Sequence, residues 1–340
     1  MRLPRFSYRA PSTVEEAAQI LSSEGPSAQL IAGGTDLLPN MKRRHQTPTT
    51  LVSLRHIEGL RKMTNGAGLT LGATVTLTEV VDAPAIHEQY TALHQAAARV
   101  ATVHLRNSGT LGGNLCLDTR CNYYNQSYEW RKAIHFCMKK DGETCWVATA
   151  SKRCVAVSST DTAPALIALG ARVRLVSVTG EREVALADFY NNNGMQYLTR
   201  GADEVLTEVL LPPLPGWTST YWKLRRRGSF DFPVLSVAAA IRLGRSQIVE
   251  DARIVIGSAA SRPLVAGEAA AFLIGRALTD EAILEVAAFA ARIAKPLDNT
   301  DFDMSWRKKV TTEFVTYALR ELRGDDVAIE RAAITRMPAI

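Results

Sequence analysis

Two turns leave the backbone of this chain little choice. Ala32-Gly33-Gly34-Thr35-Asp36 and Gly109-Thr110-Leu111-Gly112-Gly113-Asn114 each set paired glycines between an apolar strand or helix and small polar residues. Glycine lets the chain take positive φ and aim consecutive amides at one point, which makes a nest for a phosphate without any lysine. Two such nests can grip one pyrophosphate, although either alone also reads as a tight turn. Neither belongs to a Rossmann unit, since no G-x-G-x-x-G occurs, and no G-x-x-x-x-G-K-[ST] supports a nucleotide hydrolase.

A chain of 340 residues exceeds the usual size of one hydrophobic core and favours two domains, or three. The cut falls at Leu211-Pro212-Pro213-Leu214-Pro215-Gly216, where three prolines in four positions stop any regular element. Ahead of it, Val14 to Ser22 has helical spacing, with Ser12 or Thr13 as N-cap and Glu15 or Glu16 in the capping-box region. Gln29 to Ala32, Leu51 to Leu54, Leu69 to Ala73 and Arg172 to Val176 read as strands, and Val75 to Leu77 as more strand. Ile86 to Val103 and Ala163 to Leu169 read as helices. Behind the cut, Val234 to Leu243 and Ala252 to Ser258 read as strands of a second sheet, followed by helices at roughly 279 to 294 and 303 to 323. Separate blocks of strand and helix predict α+β in both parts.

Hydrophobic residues at 46% and charged ones at 22% rule out disorder as the explanation of any feature. The net charge of +6 is mild for this length, and its basic residues are scattered, so nucleic-acid binding is not expected. The start lacks the apolar run of a signal peptide, and nowhere do about 18 apolar residues follow one another. A cytoplasmic protein with no membrane partner is expected.

Four segments in fixed order, "IAGGTDLL", "ALHQAAARVATVHLRNSGTLGGNL", "DTAPALIALGA" and "YWKLRRRGSFDFPVLSVAAA", resemble the FAD-binding subunit of the xanthine dehydrogenase and carbon monoxide dehydrogenase class of molybdenum hydroxylases. The resemblance implies an FAD-binding domain of the vanillyl-alcohol-oxidase type over residues 1–211 and a smaller C-terminal α+β domain, an antiparallel sheet with helices, over 217–330. It also implies that Ile31, Ala32, Gly33, Gly34, Thr35 and Asp36, with Thr110, Gly112, Gly113 and Asn114, hold the pyrophosphate of FAD. Asp161 matches a position near the ribose and phosphate, Leu206 one near the ring system, and Lys223 the lysine of an "FK" motif that reads "WK" here. Read without the resemblance, Lys223 is a solvated strand-end lysine and Asp161 a helix N-cap. No histidine sits in these turns, so the flavin is expected to be held non-covalently.

Four of the five cysteines, Cys121, Cys137, Cys145 and Cys154, fall in one polar stretch with spacing C-x15-C-x7-C-x8-C. In the resembled class the connection between "LGGNL" and "D-x-A-P-A-L" is much shorter, so about 118–157 is an insertion. A cytoplasmic setting argues against disulfides. Four thiolates suit a [4Fe-4S] cluster or an all-cysteine zinc site, and spacing alone leaves both open: zinc ligands usually come in close pairs, whereas these do not follow the ferredoxin pattern either. Seven basic residues against three acidic ones between Thr119 and Val157 tilt the choice a little from zinc toward a cluster, which carries about −2 when oxidised with four thiolates, while a solvated basic loop gives the same count. His135 reads as a surface residue beside the ligands, and Cys116 as a free thiol.

Within the class, a cysteine-bearing loop at this place resembles the flavin subunits of the 4-hydroxybenzoyl-CoA reductases. That resemblance implies Cys121, Cys137, Cys145 and Cys154 as ligands of a [4Fe-4S] cluster and a subunit relaying electrons from reduced ferredoxin. Its implied partners are a [2Fe-2S] small subunit and a molybdenum-cofactor large subunit, in a heterohexamer of two three-subunit units. No catalytic residue is expected on this chain. The alternatives are an FAD subunit of another molybdenum hydroxylase with a zinc-stabilised loop, and a non-redox scaffold.

Overall fold

The structure is a computed structural model that describes residues 2–336; Met1, where the first expected domain begins, and residues 337–340 lie outside the described residues. The N-terminal helix Val14–Glu24 starts at Thr13, whose hydroxyl accepts from the Glu16 amide at 3.1 Å, as a capping box predicts. Its apolar face covers a small parallel sheet in which Thr50–Ser53 lies between Ser7–Arg9 and Ala28–Ile31. A five-stranded antiparallel sheet follows, in the order Met63–Asn65, Leu69–Gly72, Val205–Leu211, Arg172–Ser177 and Gly180–Ala185.

Two local expectations need correction. Val75 to Leu77 does not continue as strand: Thr76 and Glu79 form a reciprocal capping box that starts the helix Leu77–Asp82. The backbone there is spent instead on the second glycine turn, with the Leu77 amide donating to Gly109 and the Leu111 amide to Val75, at 2.8 and 2.9 Å. The helical stretch predicted from Ile86 to Val103 is three short helices, Pro84–Gln89, Thr91–Ala98 and Val103–Arg106. Tyr90 leaves helical geometry between the first two, and its buried hydroxyl donates to the Pro212 carbonyl at 3.0 Å.

Beyond Leu211 the chain enters a four-stranded antiparallel sheet, ordered Leu264–Val265, Val249–Gly257, Leu235–Leu243 and Trp217–Leu224. Leu235 to Ile241 are buried without interruption, which explains an apolar run that does not alternate. One face of this sheet, carrying Tyr221, Ala238, Ala240 and Val255, joins the core of the first half. The opposite face, with Trp222, Val237, Ala239 and Ile254, is covered by the helices Asp280–Ile293 and Met304–Arg323.

Trp222 is the largest fully buried side chain of that second core; its ring lies 6.3 Å from Phe314 and 5.3 Å from Tyr317, and its indole donates to Glu321 at 2.8 Å. Trp222→Ala should destabilise the chain by about 3–5 kcal/mol, read from urea unfolding. A cost under about 1 kcal/mol would mean that these helices do not depend on it.

Candidate functional site

The strand Ala28–Ile31 delivers the first glycine turn to the end of the parallel sheet. Gly34 has φ of 69°, where a side chain is strained, and its carbonyl accepts from the Leu38 amide at 3.1 Å as the next helix begins. Gly33 is pressed against the second turn so closely that a Cβ there would overlap the Ser108 carbonyl. In the second turn Thr110 accepts from the Gly113 amide at 3.1 Å and starts a single helical turn, Leu111–Leu115. The Gly112 amide donates to Ala73 at 2.9 Å, and a Cβ on Gly112 would meet that alanine at 2.8 Å.

Between the turns opens a cleft of about 420 Å³, within the range of small-molecule and cofactor sites. Ile31 through Asp36, Thr110, Gly112 through Asn114, Asp161 and Leu206 all line it. Several of these side chains are engaged with protein rather than free. The Asn114 carbonyl oxygen accepts from the Thr160 hydroxyl, the Thr162 hydroxyl and the Thr162 amide at 2.8, 2.7 and 3.1 Å, bracing the turn against the helix Thr162–Ala168. Asp36 pairs with Arg120 and accepts from the Asn40 amide group at 3.1 Å.

Lys223 is not on the wall of the cleft. It lies behind Asp161 with its side chain 1% exposed, so the solvated reading does not hold. Its ammonium donates to Asp161 Oδ2 and to the Arg99 carbonyl, both at 2.9 Å. Asp161 occupies the N-cap position of its helix but caps nothing; its other oxygen accepts from the Tyr221 hydroxyl at 2.7 Å. Burial pushes the Asp161 carboxyl up and the Lys223 ammonium down, and each partner opposes the other's shift.

Residues that pattern reading did not assign also line the cleft, among them Cys116, Tyr197, Arg200 and the Phe230-Asp231-Phe232 loop. Phe230 and Phe232 are among the exposed aromatics, and Arg120 stacks on Phe232 at 4.7 Å. The "SFDF" segment was a visible signal for that loop; Tyr197 and Arg200 sit in irregular chain that carries no period. Burial raises the Cys116 thiol, which is one of five free cysteines.

The insertion leaves the cleft at a closed neck, where Arg120 and Val157 exchange both backbone hydrogen bonds at 2.8 and 2.7 Å. Inside it lies one short helix, Tyr128–Ala133, capped by Ser127. Cys121, Cys137, Cys145 and Cys154 are all buried, at 7, 6, 4 and 4% exposure, and none is in a disulfide. Cys121, Cys137 and Cys154 share an apolar cluster with Tyr124 and Ala156, and Cys145 lies close enough to act electrostatically on Cys154. Burial pushes Cys121 up to about 12 and raises Cys154, the latter opposed by the Ala156 amide and Lys139. Among the described residues no three His, Cys, Asp or Glu side chains are set to hold a single metal ion. His135 is exposed.

Two cations line this pocket's surroundings. Arg131 is fully buried; none of its guanidinium nitrogens is hydrogen bonded, and its ion pair with Asp141 is long, 3.8 Å. A cation so placed suits an anionic neighbour, because burial without hydrogen bonds is costly. Lys139, its side chain 6% exposed, pairs with Asp118 at 2.8 Å. On the other side His45 lies 4.3 Å from the Tyr124 ring and donates Nε2–H to the Gln126 carbonyl at 3.3 Å; burial pushes it down to about 4.

A mixed helix and sheet chain with paired glycine turns walling a cofactor-sized cleft defines a nucleotide-cofactor protein outside the Rossmann class. Residues 4–214 match the family model for the FAD binding domain in molybdopterin dehydrogenase, and residues 219–322 the CO dehydrogenase flavoprotein C-terminal domain. The chain is 34% identical over 269 residues to the aldehyde oxidoreductase FAD-binding subunit PaoB of Escherichia coli K12, covering 76% of this chain and 82% of that one. It is 26% identical to the carbon monoxide dehydrogenase medium chain of Hydrogenophaga pseudoflava, covering 93 and 96%. A solved structure of carbon monoxide dehydrogenase from Hydrogenophaga pseudoflava superimposes with a TM-score of 0.77 at 26% identity, covering 94 and 98%. The chain belongs to the FAD-binding medium subunits of the xanthine and CO dehydrogenase family of molybdenum hydroxylases.

Gly33→Ala should force the two turns apart and leave most of the purified chain without flavin, measured from its absorbance. Gly66→Ala, where a Cβ meets nothing within 4 Å, should keep full flavin content. Equal loss in both would mean that the approach of the turns does not matter. For His45, whose folded pKa is depressed, the neutral form contributes stability above about pH 6.5. That contribution is lost as pH falls toward about 4, and His45→Gln should remove this part of the acid-unfolding slope.

Proposed function

We propose that this chain is the flavin and iron-sulfur electron-transfer subunit of a molybdenum-containing reductase of the 4-hydroxybenzoyl-CoA reductase type. The observation that carries the reading is the insertion: four buried free cysteines on a loop whose closed neck lies beside the flavin cleft. A family FAD subunit without such a loop needs only the cleft. In this reading residues 1–211 form the FAD-binding domain, with the insertion at about 118–157, and 217–330 the C-terminal domain.

Within the cleft, the Ile31 to Asp36 and Thr110 to Asn114 turns hold the pyrophosphate of FAD with backbone amides, which suits a dianion that no lysine on the wall approaches. Asp161, held by Tyr221 and Lys223, stands near the ribose and phosphate, and Leu206 supplies an apolar surface toward the ring system. Cys121, Cys137, Cys145 and Cys154 ligate a [4Fe-4S] cluster. Bound FAD supplies one- and two-electron chemistry and a bound cluster one-electron chemistry. The chain's own work is to bind both, fix their separation and keep the cluster dry.

The relatives' names, FAD-binding subunit and medium chain, support a place in a larger assembly. The partners in this reading are a [2Fe-2S] small subunit and a molybdenum large subunit, in two copies each, with reduced ferredoxin as donor and the complex cytoplasmic. Among the described residues no helix is long and apolar enough to cross a membrane.

The test is iron, acid-labile sulfide, zinc and FAD per copy of the anaerobically purified chain, freed of partners that carry iron of their own. About four irons and four sulfides beside FAD are expected; zinc with FAD would leave a flavin subunit with a structural loop and sink the reductase reading. Cys137→Ser should lose the iron while keeping FAD.

A further inference from the structure

The thiol pocket and the flavin cleft share a wall, and one buried charge stands in it. Lys139 belongs to the insertion, two residues after Cys137. Its ammonium donates to Asp118 Oδ1 at 2.8 Å, to the Thr119 hydroxyl at 2.7 Å and to the Gly194 carbonyl at 2.6 Å, so all three of its hydrogens are used. It also lies over the rings of Tyr124 at 4.8 Å and Tyr197 at 5.5 Å.

Four of these partners, Asp118, Tyr197, Tyr124 and Gly194, face one site or the other. Asp118 and Tyr197 line the flavin cleft. Asp118 also accepts from the Tyr124 hydroxyl at 2.9 Å, and Tyr124 packs with Cys121, Cys137 and Cys154. Gly194 donates its amide to the Cys154 carbonyl at 2.9 Å and lies so close that a Cβ there would be 2.9 Å from Cys154 Sγ. The ion pair with Asp118 is itself buried, its two side chains 6 and 4% exposed.

We propose that Lys139 is a positioning charge for electron exchange between the two centres: a buried, fully hydrogen-bonded ammonium that stabilises the extra electron on a cluster held by the four cysteines and so raises its reduction potential. The inference rests on the four-cysteine cluster reading. Its physical basis is that each electron taken up adds one negative charge at the pocket, and a cation in a poorly screened interior favours that state more than it would in water. The hydrogen bonds to Thr119 and Gly194 fix its position, so the charge is in place before the electron arrives. Asp118 opposes it from the flavin side, which limits the effect and gives it a second handle.

The experiment is an anaerobic redox titration of the full chain, with the reduced cluster followed by low-temperature electron paramagnetic resonance and iron, sulfide and FAD counted beforehand. Lys139→Met should shift the one-electron equilibrium at least tenfold toward the oxidised form, about 59 mV, with iron and FAD retained. Lys139→Arg should stay near the parent, and Asp118→Asn should move the potential in the opposite direction. This opposed pair is what a merely structural role does not give. An unmoved potential in Lys139→Met with iron intact overturns the inference while leaving the cluster standing. A parent chain without iron and sulfide removes the cluster reading and this inference with it. Should Lys139→Met lose its iron, Asp118→Asn decides: a raised potential supports the shared charge, and an unchanged one overturns it.

Discussion

The contact between Gly33 and the Ser108 carbonyl is the constraint on which the functional end of the molecule depends. Any side chain at residue 33 would hold the two turns apart. With them together, amides from distant parts of the sequence face one cleft, and Asp36, two residues past Gly34, reaches Arg120. The Arg120 backbone in turn closes the neck of the insertion with Val157, and its guanidinium also bonds Asn40 at 3.1 Å. The glycine turn, the ion pair and the neck therefore form one mechanical series.

Buried charge is the second theme. Asp161, Lys223, Asp118, Lys139, Arg120 and Arg131 are all removed from water, which no account based on stability alone favours. The Asp161–Lys223 pair joins the two halves: Lys223 comes from the C-terminal sheet and Asp161 from the helix facing the cleft, and Tyr221 on the same strand holds the second carboxylate oxygen. That sheet is covered on both faces, by the first core and by its own helices. Lys223 and Tyr221 on its strand hold the Asp161 carboxylate at the cleft wall.

Much of this was legible in the sequence, for identifiable reasons. The helices Val14–Glu24, Asp280–Ile293 and Met304–Arg323 show a 3.6-residue period with caps, and the glycine pairs mark turns by composition alone. What period reading missed has physical causes. Trp217–Leu224 is buried along most of its length and carries no clean alternation, so Lys223 looked like an exposed strand end until both sides of the sheet were covered. Val75 to Leu77 has strand-like residues, but Thr76 and Glu79 cap a helix, a local hydrogen bond that outweighs β propensity. The role of Lys139 depends on Asp118, Thr119 and Gly194 meeting in space, and nothing in the spacing of those residues announces it.

The insertion presents a different energetic problem from the rest of the chain. It contains one six-residue helix, and its apolar cluster holds only a few buried residues, three of them cysteines. Irregular segments of this length inside a compact protein are uncommon and usually functional. Segments that cannot build a core of their own gain stability from staples, whether disulfides or metals. All five cysteines are free in the structure. Burial disfavours the thiolate forms of Cys121 and Cys154, so a group that took the cysteines as thiolates would displace protons, and its binding free energy would become folding free energy for the loop. In the proposed reading, the buried cations of the same insertion, Arg131 and Lys139, stand ready to offset the negative charge of such a group. In the proposed cluster-bearing reading, the stability of the insertion and its electrochemistry rest on the same few residues.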